Sequence, residues 1–171
     1  MKLYFSPSSP YTRKVLVSAI ELGIRDRIEL LDCNVHMINR DQSVVAKNPL
    51  GQVPTLILDD GTGVYDSRVI CEYLHMQVPG SKLFPSDPAP RLQALIDQAL
   101  ADGLLAAALL GRQEITLRPK EKYWDAWSGA QMAKINDALN RYDRDVGRWG
   151  NRIDIGTISA GCAYAATRGS E

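Results

Sequence analysis

Histidine and cysteine are scarce in this chain. Two histidines, His36 and His75, and three cysteines, Cys33, Cys71 and Cys162, are spread over 171 residues. No C-x-x-C pair and no cluster of ligand-type side chains occurs, which argues against a zinc site or any other bound metal. An odd cysteine count argues against a disulfide framework and fits a reduced, cytoplasmic setting. Net charge is lacking as well. The 20 Lys and Arg residues balance 20 Asp and Glu, neither half forms a basic footprint, and nucleic acid is therefore not indicated as a partner. No apolar run reaches the roughly 18 residues of a membrane span. The N-terminal Met-Lys-Leu-Tyr-Phe-Ser-Pro has no signal-peptide core. What is present, 45% hydrophobic and 23% charged residues, is the composition of a globular chain of one or two small domains.

Strand and helix signals alternate over the first eighty residues. Residues 2–6 read as a strand. Residues 11–22 carry Val15, Ala19 and Leu22 at helical spacing, with Leu16 and Ile20 beside them, and Gly23 stands where a helix-ending glycine belongs. Residues 28–33 read as a second strand, so the order predicts a βαβ unit with parallel strands. Residues 34–47 are polar, a loop with one helical turn. Residues 55–58 and 64–65 flank the turn cluster Asp59-Asp60-Gly61-Thr62-Gly63, which predicts an antiparallel hairpin. Ser67 is suited to cap the helix that follows, with Val69, Ile70, Tyr73 and Leu74 as its apolar stripe.

Residues 78–90 hold four prolines, the chemistry of a linker. Beyond them the pattern is helical. Leu92, Leu95, Ile96, Ala99 and Leu100 predict one face of a long helix that Arg118-Pro119 interrupts. A second long helix is predicted with Trp124, Trp127, Ile135, Leu139, Tyr142 and Val146 inward. A third, over 157–167, is made of small residues. The chain thus divides into an α/β domain (1–78), a linker (79–90) and an all-α domain (91–171).

Three local patterns bear on chemistry. The first strand runs into Ser9-Pro10-Tyr11-Thr12, which opens a helix. Free N–H groups and partial positive charge at a helix start stabilise an anion. Ser9 either caps that helix or donates a hydrogen bond to a bound thiolate; no Ser-His pair supports a nucleophilic role. In Asn48-Pro49-Leu50-Gly51-Gln52-Val53-Pro54-Thr55-Leu56 a proline enters a strand. A trans bond is favoured by base rate, since about 5–6% of X–Pro bonds are cis. A cis Val53–Pro54 would turn the Val53 backbone toward a peptide ligand. Asp66-Ser67 at the next helix start is either an ordinary cap or a site for both charges of an α-amino acid group, with the helix end holding carboxylate and Asp66 holding ammonium.

In this order the three patterns resemble a cytosolic glutathione transferase, most of all the small bacterial serine-type members. The match extends through Leu83-Phe84-Pro85 and Ala101-Asp102-Gly103. The resemblance implies an α/β thioredoxin-like N-terminal domain followed by an all-α helical domain, a homodimer, and a cis Val53–Pro54 bond. It implies glutathione as co-substrate and a small electrophile as partner. Ser9 and Thr12 occupy the positions where dithiol relatives carry cysteines, so thiolate stabilisation by Ser9 replaces dithiol exchange. Val53 is implied to pair through its backbone with the cysteinyl part of glutathione, Asp66 and Ser67 to hold the γ-glutamyl end, and Gln52 to reach the glycyl end. Tyr11 and Asp102 are further candidates, Tyr11 against the electrophile and Asp102 toward the γ-glutamyl amine across the dimer, with Gly103 allowing close backbone approach.

One feature departs from the family. The core helix beginning near 153–162 lacks the expected capping box, because Ala160 stands three residues after Thr157. Asp154 is the alternative cap. By comparison with the family, the last helices are expected to be missing after Glu171. The activity implied is attack of glutathione thiolate on an electrophile. The alternative is a non-catalytic glutathione-binding or interaction protein on the same scaffold, and glutathione-dependent isomerisation is a third reading. A thiol with a reference pKa near 8.5 reaches the range of about 6.5–7.5 for only about 1.4–2.7 kcal/mol of differential stabilisation.

Overall fold

In the computed structural model, which describes residues 1–168, the chain forms two compact units, Met1–Ser86 and a second from Asp87 onward. The first is a thioredoxin-like domain. Its mixed sheet comprises β1 (Lys2–Phe5), β2 (Glu29–Asp32), β3 (Thr55–Ile57) and β4 (Gly63–Val64), in spatial order β2-β1-β3-β4. β1 and β2 are parallel, with Lys2 opposite Glu29 and Phe5 opposite Asp32. Parallel neighbours need a crossover, here the helix α1 (Pro10–Glu21). β3 runs antiparallel to both β1 and β4. Leu3 and Leu56 of the sheet are buried with Val15 and Ala19 of α1 and with Ile70 and Leu74 of α3 (Ser67–Met76).

Gly23, at φ +68°, ends α1 as the sequence predicts. The Gly23 N–H donates to the Ile20 carbonyl (2.9 Å) and the Ile24 N–H to the Ala19 carbonyl (3.0 Å), a Schellman closure. A 3-10 turn at Arg25–Arg27 follows, for which the sequence carried no signal. The polar stretch before β3 holds one helical turn, α2 (Gln42–Val45).

The proline-rich segment is less of a linker than its composition suggests. Leu83 and Phe84 are buried, and the His75 ring lies 5.3 Å from that of Phe84. Pro88 and Pro90 already belong to α4 (Pro88–Thr116). In a first turn, N–H groups lack helical partners anyway, so proline costs no bond there.

The second unit consists of α4, α5 (Asp125–Trp149) and α6 (Ile155–Arg168). α4 turns a different face inward from the one its hydrophobicity predicts. Ala94, Asp97, Gln98, Ala101, Leu104 and Leu105 are buried, whereas Leu92 is 60% exposed and Leu95 and Ile96 are exposed too. Close packing explains the inversion. A Cβ on Gly156 of α6 would lie 2.7 Å from the Ala94 carbonyl oxygen, so only small residues fit at this crossing. Asp97 turns inward because its carboxylate is met by the Arg152 guanidinium and by Gln93 Nε2 (2.9 Å), while its carbonyl accepts from Tyr142 Oη (3.2 Å). Burial, together with the charges of Asp97 and Asp102, pushes the Tyr142 hydroxyl well above its ordinary pKa.

α5 buries Gln131, Ala138 and Tyr142. Two expected core residues are not inside, since Trp124 precedes the helix and Val146 lies on its solvent face. Asp154 caps α6, as the alternative offered by the sequence has it, and a capping box forms from Asp154 and Thr157, three residues before the Thr157–Ala160 spacing. Asp154 Oδ1 accepts from the N–H groups of Gly156 (2.9 Å) and Thr157 (3.1 Å), and Thr157 Oγ1 accepts from the Asp154 N–H (3.1 Å). Contrary to the sequence expectation that no apolar run is long enough, α4 is long and apolar enough by length and composition to cross a membrane. Its inward Asp97 and Gln98 and its packing against α5 and α6 are those of a core helix.

Candidate functional site

Strand register gathers the three sequence patterns at one sheet edge. β1 ends at Phe5 and leads to Ser9. Thr55, the first residue of antiparallel β3, lies opposite Tyr4, so Val53-Pro54 falls beside that same end. Val64, the last residue of β4, lies opposite Leu56, which brings Tyr65-Asp66-Ser67 to the edge as well. Residues separated by more than fifty positions in sequence thus converge because the start of β3 coincides with the ends of β1 and β4.

Ser9 is the N-cap of α1, with extended backbone (φ −81°, ψ 117°), and Pro10 opens the helix. Its Oγ accepts a hydrogen bond from the Thr12 N–H at 3.2 Å. A hydroxyl has two acceptor lone pairs and one donor hydrogen. Capping occupies one lone pair and leaves the hydrogen available. The other two serines of this loop bond each other, Ser6 Oγ to Ser8 Oγ at 3.0 Å. Thr12 is fully buried, and among the described residues its Oγ1 has no hydrogen-bond partner.

The Val53–Pro54 peptide bond is cis, against the base rate and as the family resemblance implies; Tyr65–Asp66 is cis too. Among the described residues no hydrogen bond is made by the Val53 backbone. The loop before it is tied by Asn48, a residue to which the sequence reading gave no role. Its buried side chain donates from Nδ2 to Thr55 Oγ1 (2.9 Å) and to the Gln52 carbonyl (3.2 Å), and its Oδ1 accepts from the Leu50 N–H (3.0 Å). The signal lay in the motif itself, since an asparagine beside proline and glycine is the side chain best able to bind a turn's own backbone. Gly51 sits at φ +62° in this turn. Gln52 is exposed, and its carbonyl also accepts from Thr55 Oγ1 at 2.7 Å.

At the third element the sequence assigned the cap one residue too late. Asp66, not Ser67, is the N-cap of α3, accepting at Oδ1 from the Arg68 N–H (2.9 Å). Aspartate and serine are equally good caps, and the helix starts one residue earlier than Ser67 as cap would require. Ser67 becomes the first helical residue and is buried. Arg68, also missed, folds back so that its Nη2 lies 2.8 Å from Asp66 Oδ2. Burial raises the Asp66 carboxyl, but the Arg68 hydrogen bonds and the Arg68 and Lys14 charges outweigh it and hold the group below its ordinary pKa.

Tyr11 is half-buried in the first turn of α1, with the Lys14 ammonium 5.8 Å from its ring centre. Asp102 lies half-buried in α4, in the second unit. Beside it Gly103 is exposed, and a Cβ there would meet nothing within 4 Å in this chain, so no described backbone needs that glycine. Cys33 is no rival nucleophile. Burial and the Asp41 charge push its thiol up, and Sγ donates to the Phe5 carbonyl at 3.3 Å. Among the described residues no group of His, Cys, Asp and Glu is placed to hold a metal.

Comparison with known proteins bears on this edge directly. The family profile of the glutathione S-transferase N-terminal domain matches residues 8–77, a span containing Ser9, Val53 and Asp66. The uncharacterized GST-like protein YibF of Escherichia coli (strain K12) is 33% identical over 166 residues, 95% of this chain and 80% of that protein. Among solved structures, a glutathione transferase family member from Pseudomonas fluorescens Pf-5 with bound glutathione superposes with a TM-score of 0.94 at 38% identity, covering 98% of this chain and 82% of that one. A glutathione S-transferase from Methylobacillus flagellatus KT with glutathione bound gives 0.86 at 34% identity, covering 99% and 83%. The chain spans about four fifths of the length of each.

Proposed function

This chain belongs to the glutathione S-transferase family, and we propose that it binds glutathione at the Ser9–Val53–Asp66 edge and transfers it to a small electrophile. The thiolate sulfur forms the new bond to an electrophilic carbon, the leaving group departs with the electron pair, and the thiol proton passes to water. Ser9 donates its free hydrogen to the thiolate while α1 supplies the positive end of its dipole. The backbone of Val53 pairs with the cysteinyl unit. Asp66 takes the γ-glutamyl ammonium, the start of α3 at Ser67 takes the carboxylate, and Gln52, exposed beside the cis-proline turn, reaches the glycyl end. Tyr11 and Asp102 are secondary contributors, to the electrophile and to the γ-glutamyl amine.

The observation that carries this reading is the hydrogen-bond state of Ser9. Its cap bond comes from the Thr12 N–H and uses a lone pair, so capping and thiolate stabilisation do not compete. Cys33, Cys71 and Cys162, none in a disulfide among the described residues, support a reducing, cytoplasmic setting. The exposed stripe Leu92, Leu95 and Ile96 on α4 supports a homodimer.

Conjugation of glutathione to 1-chloro-2,4-dinitrobenzene, followed beside calorimetric glutathione binding, tests the proposal. Ser9→Ala should lower turnover by about ten- to a hundredfold, the worth of one charge-assisted hydrogen bond, with little change in glutathione affinity. An unchanged rate in Ser9→Ala removes Ser9 from the chemistry. Binding without any turnover in the wild-type protein establishes the non-catalytic alternative instead.

A further inference from the structure

The loop from β1 to α1 carries two serines, Ser6 and Ser8, to which the glutathione reading gives no role. The Ser9 N–H donates to the Ser6 carbonyl at 3.0 Å, which closes a four-residue turn with Pro7 in second place, a position for which proline is preset. Such a turn keeps its first and last Cα atoms within roughly 7 Å, so Ser6 is held next to Ser9. Within the turn Ser6 Oγ lies 3.0 Å from Ser8 Oγ. Ser6 is half-buried and Ser8 is exposed. In a bonded hydroxyl pair one oxygen donates and the other accepts, and the accepting hydroxyl keeps its own hydrogen. That holds whichever serine donates. The Ser8 backbone N–H makes no hydrogen bond among the described residues. The turn therefore presents two donors, a hydroxyl and an N–H, just before the residue proposed to hold the sulfur.

Donors in that place suit one way in which an electrophile takes up charge. In a displacement the charge departs with the leaving group. In addition to a conjugated carbonyl it stays in the molecule and develops on the carbonyl oxygen, three bonds from the carbon that the sulfur attacks. Fixed donors aimed at such an oxygen lower the barrier because their dipoles are already oriented when the charge appears. The free hydrogen sits on the oxygen that accepts the bond from its neighbour, and a hydroxyl polarised in this way is the stronger donor.

We propose that the electrophile is an α,β-unsaturated aldehyde or ketone whose carbonyl oxygen is held by the Ser6–Ser8 turn. The inference rests on the placement of glutathione at this edge. The glutathione thiolate bonds to the β-carbon, the electron pair of the carbon–carbon double bond shifts toward the carbonyl, and the oxygen becomes an enolate. The free serine hydrogen and the Ser8 N–H hold that oxygen. Water then protonates the α-carbon. The thiol proton was released when the thiolate formed, so the whole adds sulfur and hydrogen across the double bond with no leaving group and no change of oxidant.

Benzylideneacetone is the enone probe and para-nitrobenzyl chloride the displacement probe, each followed with glutathione by absorbance. The readout is the ratio of the two kcat/KM values. Replacing both serines, Ser6→Ala with Ser8→Ala, leaves Pro7 and the backbone bond of the turn in place, and circular dichroism and the Kd for glutathione verify that the site is intact. The ratio should fall at least about tenfold, the worth of one hydrogen bond to a charged oxygen. Ser8→Thr alone keeps a hydroxyl and should keep the ratio. An unchanged ratio in the folded double variant overturns the inference, as does a wild-type protein that turns over para-nitrobenzyl chloride but not benzylideneacetone; both results leave glutathione transfer standing. A wild-type protein that turns over neither electrophile refutes this inference together with the reading on which it rests.

Discussion

Asp66 does two jobs in the proposed site, and two substitutions separate them. Its carboxylate caps α3 and is proposed to hold the glutathione ammonium. Removing a cap costs about 1 kcal/mol, or about 2–4 °C in Tm for a chain of this size. Losing a charged partner of a bound ammonium costs about 1.5–3 kcal/mol, and half of this side chain faces water, which favours the lower figure. At 1.5 kcal/mol the Kd for glutathione rises about tenfold. A carboxylate offers about four acceptor positions, and three Arg68 donors make four bonds to this one: the backbone N–H to Oδ1, Nε to both oxygens and Nη2 to Oδ2. The ammonium therefore binds by displacing part of the exposed Arg68 fork. Asp66→Ala should therefore lose both stability and affinity, whereas Asp66→Ser, an equally good cap, should lose affinity and keep its Tm. The sign with pH follows from the depressed carboxyl. The contribution of a group held below its ordinary value is complete above about pH 4 and is lost as pH falls through the folded-state value. Calorimetry for Kd and differential scanning for Tm read the two effects independently. Wild-type affinity in both variants would refute the ammonium role, and an equal drop in Tm for both would refute the cap.

Other perturbations address the scaffold. Gly156→Ala sets a Cβ 2.7 Å from the Ala94 carbonyl; overpacking of about 1–3 kcal/mol outweighs the gain of up to about 1 kcal/mol in helix propensity, so the urea midpoint should fall. Gly161→Ala in the same helix meets nothing within 4 Å, and only the propensity gain remains, so that midpoint should rise. Asn48→Ala removes three side-chain hydrogen bonds from a buried turn. It should cost about 2–3 kcal/mol in denaturant unfolding and weaken glutathione binding through the Val53 backbone; a stable variant with intact affinity would show that the turn holds without it.

The elements of the first unit were legible in the sequence because each carried a local signal: alternation in the strands, Gly23 after α1, the Asp-Gly cluster of the hairpin. Their convergence into a site was legible only through family resemblance, since no local rule announces that Thr55 pairs with Tyr4 or Val64 with Leu56. The helical unit misled in a consistent way. Choosing the face of α4 by hydrophobicity selected Leu92, Leu95 and Ile96, which lie outside. The core selects for closeness of approach instead, as Ala94 against Gly156 shows, and for a polar pairing, Asp97 with Arg152, fifty-five positions apart. Neither criterion is visible in a window of eighteen residues. At α6 the cap residue itself was legible, since Asp154 is the alternative cap that the sequence offers. The box around it was not, because Asp154 and Thr157 place the carboxylate first and the hydroxyl three residues later, the reverse of the usual order with the same two bonds.

Ser9 shows why a structural role and a chemical one can share a side chain. Read from sequence, helix cap and thiolate donor are rivals for one hydroxyl. In the structure the cap bond arrives from an N–H, so the hydroxyl acts there as acceptor, and a thiolate needs it as donor. Each use strengthens the other, because an acceptor bond polarises the O–H and orients it. The energies are of the required size. A charge-assisted hydrogen bond contributes about 1.5–3 kcal/mol and a helix end about 0.3–1 kcal/mol, against the 1.4–2.7 kcal/mol or so needed to bring a thiol pKa near 7. In the proposed site, one serine at one helix start thus supplies energy of the size needed to ionise a bound glutathione thiol. The same economy explains how Ser6 and Ser8, bonded to each other at 3.0 Å, can stand two positions apart in this loop without either replacing Ser9, since neither occupies the cap.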